Sequence, residues 1–148
     1  MSNEILLLSG PNLDLLGTRS PEIYGTTTLA EHVERFGRLA KEAGFSVRHV
    51  QSNFEGDLIE AIHSARDSAV AIVINAGALT HSSWALADAL DTFTGIKVEV
   101  HISNPAAREP FRLLSTLAVS VSGSIAGFGA TSYELALDAV RRLTSSTS

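Results

Sequence analysis

The stretch Val70-Ala71-Ile72-Val73-Ile74 is apolar at every position. A strand with one wet face alternates polar and apolar residues. A continuous run has no wet face, and such strands belong to parallel sheets covered by helices on both sides. Comparable β-branched runs lie on either side of it: Ile5 to Leu8, Phe45 to Val50, Ile96 to Val100, and Leu117 to Val121 continuing toward Ile125. Helical spacing fills the gaps. From Thr28 onward Leu29, Val33, Phe36, Leu39, Ala40 and Ala43 share one face, Thr28 and Glu31 form a capping box, and Gly44 ends the helix. A second helix is expected from about Glu55 to Asp67, with Ser52 and Glu55 as another capping box. A third should run from Ser82 or Ser83 to Gly95, and a fourth from about Tyr133 to Leu143.

Strand and helix therefore alternate, which predicts an α/β fold: a flavodoxin-like, doubly wound, five-stranded parallel sheet of order 2-1-3-4-5 with helices on both faces. The 148 residues suit a single catalytic domain spanning 1–148, with residues from about 144 to 148 read as a disordered tail. A formal charge of −5 without a Lys/Arg cluster argues against nucleic acid or an anionic membrane as partner. Zero cysteines exclude a disulfide framework, thiolate catalysis and cysteine-ligated metal, and agree with a reducing, cytoplasmic setting. Met1-Ser2-Asn3-Glu4 lacks a basic region, and the apolar run after it is too short for a signal peptide or a membrane span. The expected partner is a small molecule.

In such a sheet ligands bind past the carboxyl ends of the strands. Asn12 and a long loop to Thr28 follow strand 1, Ser52-Asn53 follows strand 2, Asn75 to His81 follows strand 3, and His101 to Arg112 follows strand 4. Long irregular connections in small domains tend to be functional, and this first one carries Arg19 and Tyr24, which reads as a lid. Taken alone, a tyrosine beside Gly25 fits the packing of a turn equally well. As a base, a phenol of pKa ~10 needs help at neutral pH, and one guanidinium at about 4 Å contributes on the order of 4 kcal/mol at an effective dielectric of ~20. Arg19 and Arg108 are the available cations. His101 ends strand 4 with Glu99 two residues earlier on the same face, and a carboxylate orients an imidazole and favours its proton-donating form. His81 is better placed to bind than to transfer a proton. Asn104 can cap a turn begun by Pro105, whose free N–H groups suit a carboxylate, and Arg108 and Arg112 would share a helical face at i, i+4 in a helix that Pro110 interrupts. No HxH, HExxH or paired-carboxylate spacing suggests a metal, and the only lysines, Lys41 and Lys97, are not placed to form an imine. The residues describe an acid/base site that uses no cofactor and is suited to removing a proton alpha to a carbonyl with loss of a hydroxyl. A non-catalytic small-anion module of the same fold is the competing reading. A receiver domain would want acids where Asn12 and Asn75 stand, and a flavin binder a Ser/Thr phosphate loop where Gly10-Pro11-Asn12-Leu13 stands.

Along nearly its whole length the chain resembles type II 3-dehydroquinate dehydratases. The matching motifs are Gly10-Pro11-Asn12-Leu13 with Leu16-Gly17-x-Arg19-x-Pro21-x-x-Tyr24-Gly25, then Gln51-Ser52-Asn53-x-Glu55-Gly56, Asn75-Ala76-Gly77-Ala78-x-Thr80-His81-x-Ser83, and Glu99-Val100-His101-Ile102-Ser103-Asn104 with Arg108-Glu109-x-Phe111-Arg112. The resemblance implies a hydro-lyase that converts 3-dehydroquinate to 3-dehydroshikimate by anti elimination through an enolate. It implies Tyr24 as base, activated by Arg19 and oriented by Arg108, Asn12 stabilising the enolate through a water, and His101 with Glu99 as acid. It further implies Asn75, His81 and Arg112 on substrate hydroxyls, Ile102 and Ser103 on the carboxylate, and Asp88 reaching a neighbouring subunit's site in a dodecamer built from trimers. Asp14, Phe54 and Leu113-Leu114-Ser115-Thr116 depart from the family's usual asparagine, histidine and His-His-Ser-Tyr.

Overall fold

Successive residues of a strand point to opposite faces, and in Ile5-Leu6-Leu7-Leu8 every one of them is buried. The computed structural model, which describes residues 2–146, shows why. Five strands, β1 (Glu4–Ser9), β2 (Ser46–Gln51), β3 (Ala69–Asn75), β4 (Ile96–His101) and β5 (Gly123–Ala126), form one sheet of order β2-β1-β3-β4-β5. All four pairings are parallel. Helices α1 (Pro21–Tyr24), α2 (Leu29–Glu42), α3 (Glu55–Ala65), α4 (Trp84–Asp91) and α5 (Thr131–Ser146) lie between or after them. Ile5, Leu7, Ala71, Val73, Val98 and Val100 pack against Phe36 and Ala40 of α2 and Tyr133, Ala136 and Val140 of α5. The alternate residues Leu6, Leu8, Ile72 and Ile74 pack against Leu58 and Ile62 of α3 and Leu86 and Leu90 of α4. The expected fold class and strand order are those observed. Among the described residues no helix is long and apolar enough to cross a membrane.

The register sets the carboxyl ends of the central strands side by side, with Ser9 opposite both Gln51 and Asn75, and Ile74 opposite Glu99. Two close approaches lock this edge. Gly10 donates its N–H to the Asn75 carbonyl at 2.8 Å, and a Cβ on Gly10 would lie 2.4 Å from the Ala76 carbonyl oxygen. Gly77, at φ +60, would place a Cβ 2.9 Å from the Pro11 carbonyl oxygen.

Several boundaries differ from the sequence expectation. The apolar run at Leu117 is not strand 5: Leu117 is a core residue under α3 and α4, Ala118–Ser120 is a 3₁₀ turn, and β5 begins only at Gly123. Strand β5 is only four residues, Gly-Ser-Ile-Ala, two of them exposed and two half-buried, so its sequence carries little apolar signal. Helix α2 has the expected Thr28–Glu31 capping box, but α3 does not have one at Ser52. Its N-cap is Phe54, and the Ser52 hydroxyl instead donates to Asp57 Oδ2 at 2.6 Å. Helix α5 continues to Ser146 through the start of the stretch expected to be disordered, and 147–148 lie outside the described residues. The loop after β1 is not wholly irregular, since Leu13–Leu15 forms a 3₁₀ turn and Pro21–Tyr24 one helical turn.

Candidate active site

The edge brings most of the singled-out residues to one cleft. Asn12, Arg19, Tyr24, Asn75, His81, His101, Ile102, Ser103, Arg108 and Arg112 all line it, together with Pro11, Leu13, Gly77, Ala78 and Pro105. Glu99 stands directly behind it, and Asp88 is exposed on α4 outside it.

Tyr24 is carried by the single turn of α1. Ser20 enters that turn at φ 40, ψ 60, a left-handed conformation uncommon outside glycine, and Gly25 at φ 78 closes it by donating its N–H to the Pro21 carbonyl at 2.8 Å. The reversal puts Arg19 against Tyr24. The guanidinium carbon of Arg19 lies 4.9 Å from the ring centroid, and that of Arg108, from the far side of the sheet edge, lies 5.1 Å from it. A cation over an aromatic face is attracted by the ring and more strongly by a phenolate, whose charge spreads into that ring. Arg108 also donates from Nη1 to Ser103 Oγ at 3.1 Å. The segment behind it is not one helix. Asn104 Oδ1 caps a 3₁₀ turn over Pro105–Ala107, Arg108 is extended, and Pro110 begins a second turn over Pro110–Leu113. Pro110 cannot donate to a helix begun at Pro105, so Arg108 and Arg112 do not share a helical face; they reach the same cleft from separate turns. Arg112 is paired with Glu109 and stacked 4.7 Å over Phe111, and that pairing holds the Glu109 carboxyl below the usual range.

His101 is buried, and its Nε2 lies 2.5 Å from Glu99 Oε2. Glu99 is only 3% exposed, and its other oxygen accepts from Ser115 Oγ at 2.8 Å. With Nε2 committed to a carboxylate, Nδ1 is the ring nitrogen left for the cleft. His81 Nδ1 lies 2.8 Å from the Leu114 carbonyl oxygen, which can only accept. The neutral ring therefore carries its proton on Nδ1 and offers Nε2 as an acceptor, suited to a ligand hydroxyl.

Both ends of the Asn75 amide are held: Oδ1 accepts from the Gly77 N–H and Nδ2 donates to the Tyr133 hydroxyl, each at 3.3 Å. Burial pushes Tyr133 up to about 12, so it stays a neutral phenol. Asn12 sits at φ 70, and its backbone N–H donates to Asn53 Oδ1 at 2.9 Å. Asn53, Ser115 and Tyr133 thus support the cleft residues. Asn53 is among the residues the sequence places at the carboxyl edge, just past β2; Ser115 and Tyr133 are not. Asp14 lines a different groove, with Leu29, Val33 and His49, and is not a wall of the cleft. Among the described residues no three His, Cys, Asp or Glu side chains cluster as a metal ion would require. The arrangement can take a proton from one part of a small oxygen-rich anion and return one to another.

Comparison with known proteins agrees with that chemistry. The family described as Dehydroquinase class II matches residues 3–141. A 3-dehydroquinate dehydratase of Cereibacter sphaeroides is 52% identical over 98% of this chain and 97% of its own length. One from Caulobacter vibrioides is 51% identical over 94% and 95% of the two chains. The crystal structure of the type II dehydroquinase of Propionibacterium acnes superposes with a TM-score of 0.90 at 44% identity, covering 96% of this chain and 98% of the other. The chain belongs to the class II dehydroquinase family.

Proposed function

We propose that the chain is a 3-dehydroquinate dehydratase, a hydro-lyase that eliminates water from 3-dehydroquinate to give 3-dehydroshikimate through an enolate, with no cofactor. The observation that carries this reading is a single cleft holding a phenol beneath two guanidinium groups and an imidazole bonded to a buried carboxylate. In the first step the Tyr24 phenolate removes a C2 proton, and the C–H electron pair moves into the neighbouring C3 carbonyl. Arg19 and Arg108 favour the phenolate. Asn12, held by Asn53 at the end of β1, stabilises the enolate oxygen through a water. In the second step the enolate reforms the carbonyl, the double bond forms between C1 and C2, and the C1 hydroxyl leaves as water with a proton from His101 Nδ1. Glu99 stabilises the imidazolium that supplies it. The base comes from the lid and the acid from the sheet edge, so the two can act on opposite faces of the ring.

Ile102 and Ser103 would hold the substrate carboxylate, and Asn75, His81 and Arg112 its hydroxyls. Asp88, exposed on α4, would complete a neighbouring subunit's cleft in a dodecamer of trimers, and the enzyme would work in the cytoplasm. The test is to add 3-dehydroquinate and follow the conjugated enone by ultraviolet absorbance, with and without chelator, and again with enzyme first treated with 3-dehydroquinate and borohydride and then freed of both. Turnover that survives both treatments is expected. No enone would overturn the reading, and loss after either treatment would replace this chemistry with a metal or an imine.

A further inference from the structure

The carboxylate behind His101 has a second donor that no local motif announces. Ser115, sixteen residues after Glu99, donates from Oγ to Glu99 Oε1 at 2.8 Å. The direction of that bond follows from its surroundings. The Leu117 N–H donates to the same Oγ at 3.1 Å, which occupies the hydroxyl as acceptor and leaves its single proton for the carboxylate. Glu99 thus has one donor on each oxygen, Ser115 on Oε1 and His101 on Oε2. The residues on either side of Ser115 support the other imidazole. The Leu114 carbonyl binds His81 Nδ1, and Thr116 donates from its N–H and its Oγ1 to the Thr80 carbonyl, at 2.7 and 3.0 Å, immediately before His81. Leu117, fully buried, ties this segment to the core.

We propose that residues 114–116 are a strap that sets both imidazoles, and that Ser115 is a positioning residue for the acid half of the reaction. This rests on the dehydratase reading above. A carboxylate gripped by one donor alone can turn about its last bond and present its oxygens to His101 over a range of angles. Ser115 pins Oε1, which aims Oε2 at Nε2 and thereby aims Nδ1 at the leaving hydroxyl. Without Ser115, Oε1 is a buried acceptor lacking its donor, and the carboxylate turns to recover one at the expense of His101. Substrate affinity and removal of the C2 proton do not depend on that alignment.

The test compares wild type, Ser115→Ala and Ser115→Thr in steady-state turnover of 3-dehydroquinate, and measures deuterium at C2 of recovered substrate in D₂O. Ser115→Ala should lower kcat about ten- to a hundred-fold, the range spanned by a hydrogen bond to a charged group, with KM within about twofold. Ser115→Thr should recover most of the loss. In Ser115→Ala the ratio of C2 exchange to product should rise, because the enolate still forms but expels its hydroxyl slowly; a merely structural defect would depress exchange and elimination together. Equal loss of both, or an unchanged kcat, overturns the positioning role. An inactive wild type would instead overturn the dehydratase reading, so the two failures are distinct. If the alanine variant does not fold, Ser115→Cys carries the test: reduced kcat with a raised exchange ratio supports the proposal, and wild-type kcat overturns it.

Discussion

Replacing Arg19 by leucine removes one of the two cations over Tyr24 and leaves the other in place. Its guanidinium carbon is 4.9 Å from the ring centroid. A unit charge at about 5 Å from the phenolate contributes roughly 3 kcal/mol at an effective dielectric of ~20 and about 1 kcal/mol in bulk water. Both side chains are half-buried at the mouth of the cleft, so the true contribution lies between those limits. If that energy is expressed in the transition state for C2 proton removal, Arg19→Leu should lower kcat/KM by between ~5- and ~200-fold. Arg108, at 5.1 Å, keeps the residual activity above zero. Arg19→Lys retains the charge without the planar fork and should fall between wild type and leucine. The assay is kcat/KM from enone absorbance. A leucine variant within about twofold of wild type, or a lysine variant as impaired as leucine, would refute the claim that charge over the ring is what Arg19 contributes.

Two further outcomes are expected. Gly10→Ala would place its Cβ 2.4 Å from the Ala76 carbonyl oxygen, a backbone atom that cannot rotate away, so the ends of β1 and β3 must part. The cost should be ~1–3 kcal/mol, read as a lower urea midpoint, with activity falling further than the folded fraction because Asn12 and Asn75 separate; an unchanged midpoint would contradict it. Burial holds the His32 imidazole below its ordinary value of 6.5, so on acidification the unfolded chain takes up its proton first. Stability from this group is complete above that value and erodes as the pH falls through it, until the folded ring titrates as well. His49 is lowered by burial in the same direction, so His32→Phe should reduce, without abolishing, the drop in urea midpoint between about pH 7.5 and 5.5. An identical drop would exclude His32 as a source.

The parts of the fold legible in the sequence were those with long-range apolar signal. Ile5–Leu8 and Ala71–Ile74 are buried on both sides, and both sides had to be apolar. Strand β5 was placed too early, reached only at Ile125, because it is four residues long with Gly123 and Ser124 exposed, while the apolar run before it serves the core as a turn. The cleft residues were legible because the carboxyl edge of a parallel sheet collects whatever follows each strand. Two of their supports were not. Ser115 reaches Glu99 across sixteen residues, and Tyr133 reaches Asn75 across fifty-eight. Neither spacing corresponds to a helical or strand period, so only the folded chain brings each pair together. The expected Arg108–Arg112 face failed for a local reason, the proline at position 110, which divides the segment into two turns.

The central claim is that Tyr24 is the base, and Tyr24→Phe examines it directly because it removes one oxygen and leaves the ring beneath Arg19 and Arg108. With 3-dehydroquinate in D₂O, enone formation and deuterium incorporation at C2 are followed together in the two proteins. Loss of both signals in Tyr24→Phe, by at least about a hundredfold and with an unchanged melting temperature, is the predicted result. Retention of C2 exchange at the wild-type rate would show that another group removes the proton, and would contradict the account.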